Sequence, residues 1–340
     1  MKILLVGSDK VFAIEIFYVK YLREMGVDVR SFPSHRYFYD YYDKSIFNKI
    51  FFKLGLSSIY GRINKLFKKD VLDYKPDIIW VFKGMEIFPE SLKWAKKMRY
   101  KIINYNPDNP FLFSSRGSGN SNVRESIGLY DMHVTYHSDV KNRIEKDFKI
   151  PTHMIYFGYD ISDELYEKSA RQPEVVRACF LGNPDRLRAA FLQKLTESGI
   201  KIDVYGNDWK KFIHHKNFEI HGPVYEDDLG LVLRRYRVQI NMMRPHNPQS
   251  HNMRTFEAPG VGGILLGPDN PDHRSFFEID KEVFLYKDID ECIAKIKYLL
   301  ALPVEEANKI RSAARKRSIE SGYTYKERTV EIYEILKKLM

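Results

Sequence analysis

Short apolar runs alternating with helix-spaced patterns fill the first half of the chain. Lys2–Val6 (KILLV) reads as a buried parallel strand closed by Gly7. Behind it Val11, Ile14, Tyr18, Tyr21, Leu22 and Met25 recur at helical spacing, and Gly26 ends the pattern. Further strands are predicted at 27–32, stopped by Pro33, and at 77–82 (DIIWVF), 101–105, 131–136 and 153–157. Strand and helix alternate, which predicts a mostly parallel sheet with helices on both faces.

A polar stretch at 158–173 (GYDISDELYEKSARQP) interrupts the pattern, which then restarts. Strands are predicted at 176–181, 201–205, 218–221, 238–242, 263–266 and 283–286, and helices at 186–198, 227–236, 289–300 and 305–321. A closing helix, 326–340, shows Val330, Tyr333 and Leu336 on one face. The expected architecture is α/β, with two doubly wound Rossmann-like domains facing a central cleft. The division is 1–160 and 161–325, with packing of 326–340 back on the first domain left open. Ligands of such sheets bind beyond the carboxyl ends of the strands.

Composition narrows the class. The 340 residues are 44% hydrophobic and 29% charged, as in an ordinary globular protein of about two domains. No run of about 18 apolar residues predicts a membrane span, and MKILLVGSDK turns charged too early for a signal peptide. A soluble cytoplasmic protein is expected. Cys179 and Cys292 are the two cysteines, too few for a disulfide framework or a cysteine zinc site. With 55 Lys plus Arg against 45 Asp plus Glu, the formal charge is 55 − 45 = +10. That excess suits an anionic membrane, a phosphorylated substrate, a nucleic acid or simply a lysine-rich surface.

The most informative stretch is 252–269, NMRTFEAPGVGGILLGPD. Arg254 and Glu257 stand three apart at a helix start, and the glycine bend Gly260-Val261-Gly262-Gly263 leads into an apolar strand. A helix N-terminus offers unpaired N–H groups to phosphate, and a carboxylate accepts hydroxyl hydrogen bonds from a sugar. The same stretch also reads as an ordinary helix-to-strand connection whose glycines only turn the chain.

This stretch resembles the donor-site signature of GT-B glycosyltransferases, in particular the group-1 branch that includes CgeB-like spore maturation proteins. The resemblance extends through 180–188 (FLGNPDRLR), 203–209 (DVYGNDW), 221–229 (HGPVYEDDL) and 321–328 (SGYTYKER). In the first half it includes 75–84 (KPDIIWVFKG) and 104–111 (NYNPDNPF). It implies a GT-B fold and a metal-independent transfer of a sugar from a nucleotide-diphosphate donor to a glycan or lipid-linked acceptor, in cell-surface or spore polysaccharide synthesis. No cofactor and no metal ligand are expected. Glu257 is implied to bind the donor ribose. The resemblance favours retention over inversion, but the acid common eight positions upstream in retaining members is replaced by Gln249, which leaves the stereochemistry and the sugar contacts unfixed.

Arg188 and Arg254 are candidates for the diphosphate, since a guanidinium grips phosphate oxygens at two points. Gly262 and Gly263 complete that cradle, His251 is a candidate catalytic residue, and Asn252 adjoins it. The nucleobase is expected beside Gly206, His221 and Gly222, near Tyr205. On the acceptor side Gly7, Ser8 and Lys83 end strands. Asp108 is a candidate general base, although its Pro-flanked position also fits a plain turn. Gly7-Ser8-Asp9 lacks the G-x-G-x-x-G pattern, which argues against a dinucleotide dehydrogenase.

Residues 44–69 carry seven basic side chains (Lys44, Lys49, Lys53, Arg62, Lys65, Lys68 and Lys69) and no acidic one. Interleaved apolar residues, broken by Gly55 and Gly61, read as two amphipathic helices suited to an anionic membrane face. Two ordinary helices packed on the sheet are the other reading. Alternatives to a transferase are a nucleotide-sugar-binding protein without turnover and a nucleotide-sugar epimerase. Nucleic-acid binding is not expected, because no recognised module for it is present.

Overall fold

The structure, a computed structural model, describes residues 1–113, 117–244 and 249–340. The chain forms two compact units, Met1–Tyr156 with Arg328–Met340, and Phe157–Glu327. The strands of the first unit are β1 (Lys2–Val6), β2 (Asp28–Phe32), β3 (Ile78–Phe82), β4 (Lys101–Tyr105), β5 (Met132–Thr135) and β6 (Thr152–Met154). Its helices are α1 (Ile14–Glu24), α2 (Ser34–Tyr42), α3 (Ile46–Lys53), α4 (Ile59–Tyr74), α5 (Pro89–Lys97), α6 (Ser121–Ser126) and α7 (Ser138–Phe148). The second unit opens with α8 (Asp163–Ala170), β7 (Val175–Leu181), α9 (Arg186–Glu197), β8 (Ile202–Tyr205) and β9 (Phe218–His221). It continues through α10 (Glu226–Arg235), β10 (Tyr236–Ile240), α11 (Met253–Gly260), β11 (Leu265–Pro268) and α12 (Pro271–Phe276). Then follow β12 (Phe284–Tyr286), α13 (Ile289–Ala301) and α14 (Val304–Glu320), and the last helix, α15 (Tyr325–Leu339), belongs from Arg328 onward to the first unit.

Every ladder is parallel, and the sheet orders are β2-β1-β3-β4-β5-β6 and β12-β11-β10-β7-β8-β9. Each order reverses direction once, between β1 and β3 in the first unit and between β7 and β10 in the second. At such a reversal neighbouring connections leave to opposite sides and open a crevice at the strands' carboxyl ends.

Alternate side chains of the strands feed two apolar layers in the first unit. Leu4, Val6, Ile79, Val81 and Ile102 pack with Ile63, Phe67 and Val71 of α4. On the other face Tyr18 of α1 meets Trp80 edge-on at 5.1 Å between ring centres. In the second unit Ala178, Phe180, Ile202, Val204, Val238 and Ile240 pack with Leu192 and Leu195 of α9 and Ile296 and Leu299 of α13.

Three differences from the sequence reading have local causes. The polar stretch 158–173 holds α8, capped by the Ser162 hydroxyl accepting from the Leu165 N–H at 3.1 Å. Only Leu165 and Ser169 of that helix are buried, too little to show as a periodic stripe. Gly61 does not break its helix but lies inside α4 with open space around it. β11 begins at Leu265 rather than residue 263, because Gly262 takes a left-handed turn at φ +74°.

A buried ion cluster ties strand edge to helix in the second unit. The Arg237 guanidinium donates to both oxygens of Glu174 at 2.6 Å and to the Leu302 carbonyl at 2.7 Å. Arg311 of α14 donates to the same carboxylate. Burial alone would raise the Glu174 carboxyl, but the two arginines outweigh it and hold it down to about 2. The folded state therefore binds this proton less readily than the unfolded chain. The stabilisation is full above an unfolded value of about 4.5 and disappears as pH falls toward 2. In urea unfolding followed from pH 5 to pH 2, Glu174→Gln is expected to flatten that part of the stability profile.

Candidate functional site

In the second unit the reversal point is built around the start of α11. Asn252 caps the helix, its side chain accepting from the Thr255 N–H at 3.2 Å, and Thr255 returns a bond to the Asn252 N–H. The same residues secure the end of β10. Asn252 donates to Asn241 Oδ1 at 2.8 Å, and Asn241 Nδ2 donates to the Thr255 hydroxyl at 3.3 Å. The hydroxyl lies 3.0 Å from His273 Nε2, and His273 Nδ1 lies 2.7 Å from the Pro268 carbonyl. Because the carbonyl can only accept, Nδ1 carries the proton and Nε2 accepts from Thr255. Burial lowers the His273 imidazole to about 4, which keeps this neutral tautomer.

Two arginines stand on the first turns of α9 and α11. Arg188, on the first turns of α9, is 8% exposed and donates to the Asn183 carbonyl after β7 at 3.3 Å. It also donates to the Met242 carbonyl after β10 at 3.1 Å, bridging the two strands where the order reverses. The Asn252 side chain reaches that same Met242 carbonyl at 3.5 Å. Burial, reinforced by the charge of Arg244, lowers the Arg188 guanidinium to about 10. Arg254, on the first turn of α11, ion-pairs with the buried carboxylate of Glu257. The Nε–H groups of Arg188 and Arg254 are both buried and have no hydrogen-bond partner among the described residues. Arg188 Nε lies 3.6 Å from Asp185 Oδ2, beyond hydrogen-bond distance. Guanidinium donors without a hydrogen-bond partner beside a helix N-terminus make a seat for an anion.

Comparison with known proteins bears on the fold. Residues 186–334 match a family model described as glycosyl transferase-like. Among curated proteins none matches the chain. The fold is that of sucrose-phosphate synthase from Thermosynechococcus elongatus, at TM-score 0.70 and 10% identity over 100% of this chain and 99% of that one. Anabaena HepE in complex with UDP and glucose superposes at TM-score 0.67 and 13% identity, over 99% of this chain and 100% of that one. A trehalose-6-phosphate synthase, solved in a study of glycosyl transfer with retention, gives TM-score 0.64 at 13% identity over the full length of both chains (100% of each). The chain thus has the GT-B fold, two parallel-sheet α/β domains of six strands each.

The other residues singled out from the sequence separate into groups. His251 is 1% exposed, Nδ1 lying 2.7 Å from Asp272 Oδ2 and Nε2 accepting from the Phe157 N–H at 3.3 Å. Its ring packs edge-on against Phe157, Phe256 and Phe276. The structure thus makes His251, singled out from the sequence as a catalytic candidate, an enclosed strut. Gly262 and Gly263 need a correction too. They follow the C-terminal end of α11, away from its N-terminus, and a Cβ on Gly263 would stand 2.5 Å from the Leu233 carbonyl. Their glycines serve helix exit and close packing. Gly206 admits the loop after β7, since a Cβ there would lie 2.4 Å from the Gly182 carbonyl. Gly222 faces open space, and Gln249 is exposed beyond residues 245–248, which lie outside the described residues.

His221 stacks on Tyr205 at 4.3 Å and pairs with the buried Asp203 at 2.8 Å. Asp203, Glu219 and His221 could together ligate a cation. Arg177 already supplies the positive charge there, at 3.1 Å from Asp203 and 2.7 Å from Glu219.

In the first unit the acceptor-side candidates end β1, β3 and β4. Lys83, in a left-handed conformation at φ 57°, pairs with Asp108 at 2.6 Å and also donates to the Gly117 carbonyl. Gly7 leaves room for Glu15, whose Oε1 would lie 2.7 Å from a Cβ and accepts the Ser8 N–H at 2.9 Å. Burial pushes the Glu15 carboxyl up, and the Ser8 N–H only partly offsets that. Nearby, Glu86 is 3% exposed, accepts from the Ser34 hydroxyl at 3.3 Å and lies 3.8 Å from His35. Sequence reasoning missed Glu15, His35 and Glu86. Glu15 had a signal, a carboxylate in register with the buried Val19 and Leu22 of α1.

Thr255→Val removes one link of the buried polar chain and leaves Asn241 and His273 unsatisfied. A loss of about 1–3 kcal/mol is expected in urea unfolding. The His273 value also has a signed consequence. Stability from this group is full above an unfolded value of 6.5 and is lost as pH falls toward about 4.

Proposed function

We propose that this chain is a glycosyltransferase whose second unit binds a nucleotide-diphosphate sugar and whose first unit receives a glycan or lipid-linked acceptor. The observation that carries the reading is the pair of buried Nε–H groups of Arg188 and Arg254, neither with a hydrogen-bond partner among the described residues, on the first turns of α9 and α11. Its support is the glycosyl transferase-like match over residues 186–334 and the fold shared with sucrose-phosphate synthase and with HepE holding UDP and glucose. In this reading the α11 N-terminus and the two arginines hold the diphosphate and stabilise the charge that grows on it as the sugar departs. Glu257, oriented by Arg254, accepts the ribose hydroxyls. Fixed donors need no reorganisation during the reaction, so the diphosphate leaves without a metal.

On the acceptor side Asp108, held by Lys83, positions the attacking hydroxyl and takes its proton. The bond from the anomeric carbon to the diphosphate oxygen breaks, the bond to the acceptor oxygen forms on the same face of the sugar that the diphosphate leaves, and the acceptor proton passes to Asp108. Retention is the proposed stereochemical course, in keeping with the trehalose-6-phosphate synthase that shares the fold. Placement in the CgeB-like branch is part of the same proposal.

Calorimetric titration with UDP, GDP, dTDP and CDP tests the donor half. One nucleotide is expected to bind with a Kd unchanged by EDTA. Glu257→Ala and Arg254→Gln are expected to weaken it by roughly 1.5–3 kcal/mol, about ten- to a hundredfold. Absence of binding by every nucleotide overturns the reading. With an acceptor in hand, Asp108→Asn is expected to lower kcat while leaving the donor Kd unchanged. Binding with neither hydrolysis nor transfer across many acceptors would identify a carrier of nucleotide sugars instead.

A further inference from the structure

Helix α3 is turned the wrong way for a soluble surface. Its polar Asn48 points inward, donating to the Tyr41 carbonyl at 2.7 Å, and Phe52 packs on Phe38 and Tyr60 at ring distances of 4.8 and 5.4 Å. That leaves the opposite stripe, Ile46, Phe47, Ile50, Phe51 and Leu54, facing outward at 69, 67, 45, 47 and 65% exposure. Leu56, 70% exposed, continues it beyond the helix. No residue of α3 is buried. Single exposed apolar residues are ordinary, but a contiguous set of this size marks a surface that something covers.

The charge around the stripe says what covers it. Lys44, Lys53, Arg62, Lys65 and Lys69 are exposed, and no carboxylate occurs between residues 44 and 69. A pocket of about 640 Å³ opens among α2, α3 and α4, lined by Tyr41, Lys44, Arg62 and Leu66, with Asp40 its one carboxylate. Two-fold contact with a second copy would set these cations against their own images. The aliphatic Ile46, Ile50, Leu54 and Leu56 offer a nucleic acid neither stacking nor hydrogen bonds. An apolar stripe flanked by lysines fits the interface of an anionic bilayer, with acyl chains against the stripe and headgroup phosphates on the cations. Among the described residues no helix is long and apolar enough to cross a membrane, so the contact is one of lying on the surface.

We propose that α3 and the basic flank of α4 form a docking surface for an anionic lipid bilayer. The inference stands on this patch alone and does not rest on the transfer reaction. It adds to that reading a reason why the acceptor would be lipid-linked. The patch belongs to the unit assigned the acceptor, and α2, which connects to it, begins at Ser34 and His35 beside Glu86.

The test is flotation of the full chain with phosphatidylcholine vesicles, with and without phosphatidylglycerol. Binding is expected only to the phosphatidylglycerol vesicles and is expected to weaken with added salt. Replacing Ile46, Phe47, Ile50 and Phe51 together by serine is expected to lower binding by at least about tenfold. Those side chains are exposed, so circular dichroism and thermal unfolding should be unchanged. Lys44→Gln and Lys53→Gln are each expected to cost about fivefold. No binding to either vesicle, equal binding to both, or wild-type binding by the serine variant would each overturn the proposal. A dimer in light scattering that the serine variant converts to monomer would also overturn it, by showing that the stripe is a self-interface.

Discussion

The carboxyl end of β10 presents polar groups to the interior, and the second unit depends on how they are satisfied. Asn241, Asn252, Thr255 and His273 form one directional chain of donors and acceptors ending on the Pro268 carbonyl. It fixes where α11 begins, and with it the position of Arg254 and Glu257. A chain of this kind allows one proton arrangement, and burial, which outweighs the opposing bond to the Pro268 carbonyl, keeps the imidazole in the neutral form it needs. His251 performs the parallel task one residue before the cap, bracing the segment against Asp272 and the Phe157 N–H.

That seat gives the arginines their chemical meaning. Arg188 spends two of its donors on carbonyls of neighbouring strand ends, which holds it rigidly across the reversal point. A guanidinium positioned this way loses little freedom when an anion arrives. The far end of α11 is held with equal care. Arg315 donates to the Gly260 carbonyl at 2.6 Å and pairs with Asp163 at 2.9 Å. A helix fixed at both ends can aim its N-terminus.

The first unit uses the same sheet logic with different chemistry at its reversal point. Carboxylates predominate there, Glu15, Glu86 and Asp108, balanced by His35 and Lys83. This polarity suits hydroxyl groups more than phosphate, and it matches the division of labour proposed for the two units. The insertion of α2, α3 and α4 between β2 and β3 grows from this end of the sheet and carries the outward apolar stripe.

Periodicity alone determined the twelve strands and the parallel α/β class of the fold. Parallel strands are apolar on both faces, and that signal is local. Arg188, Arg254 and Glu257 were legible as charged residues at helix starts. What tertiary structure decided was direction and company. Gly262 and Gly263 read as neighbours of a helix start, yet eight residues of α11 carry them to the other end of the sheet. His251 read as a catalytic candidate, and only the assembled Phe157, Phe256 and Phe276 enclose it. The basic segment 44–69 was visible in sequence, but a helix's amphipathic pattern does not say which face meets solvent. Asn48 and Phe52 settle that by finding partners inside. Burial depends on contacts between distant segments, and a pattern within one segment cannot encode it.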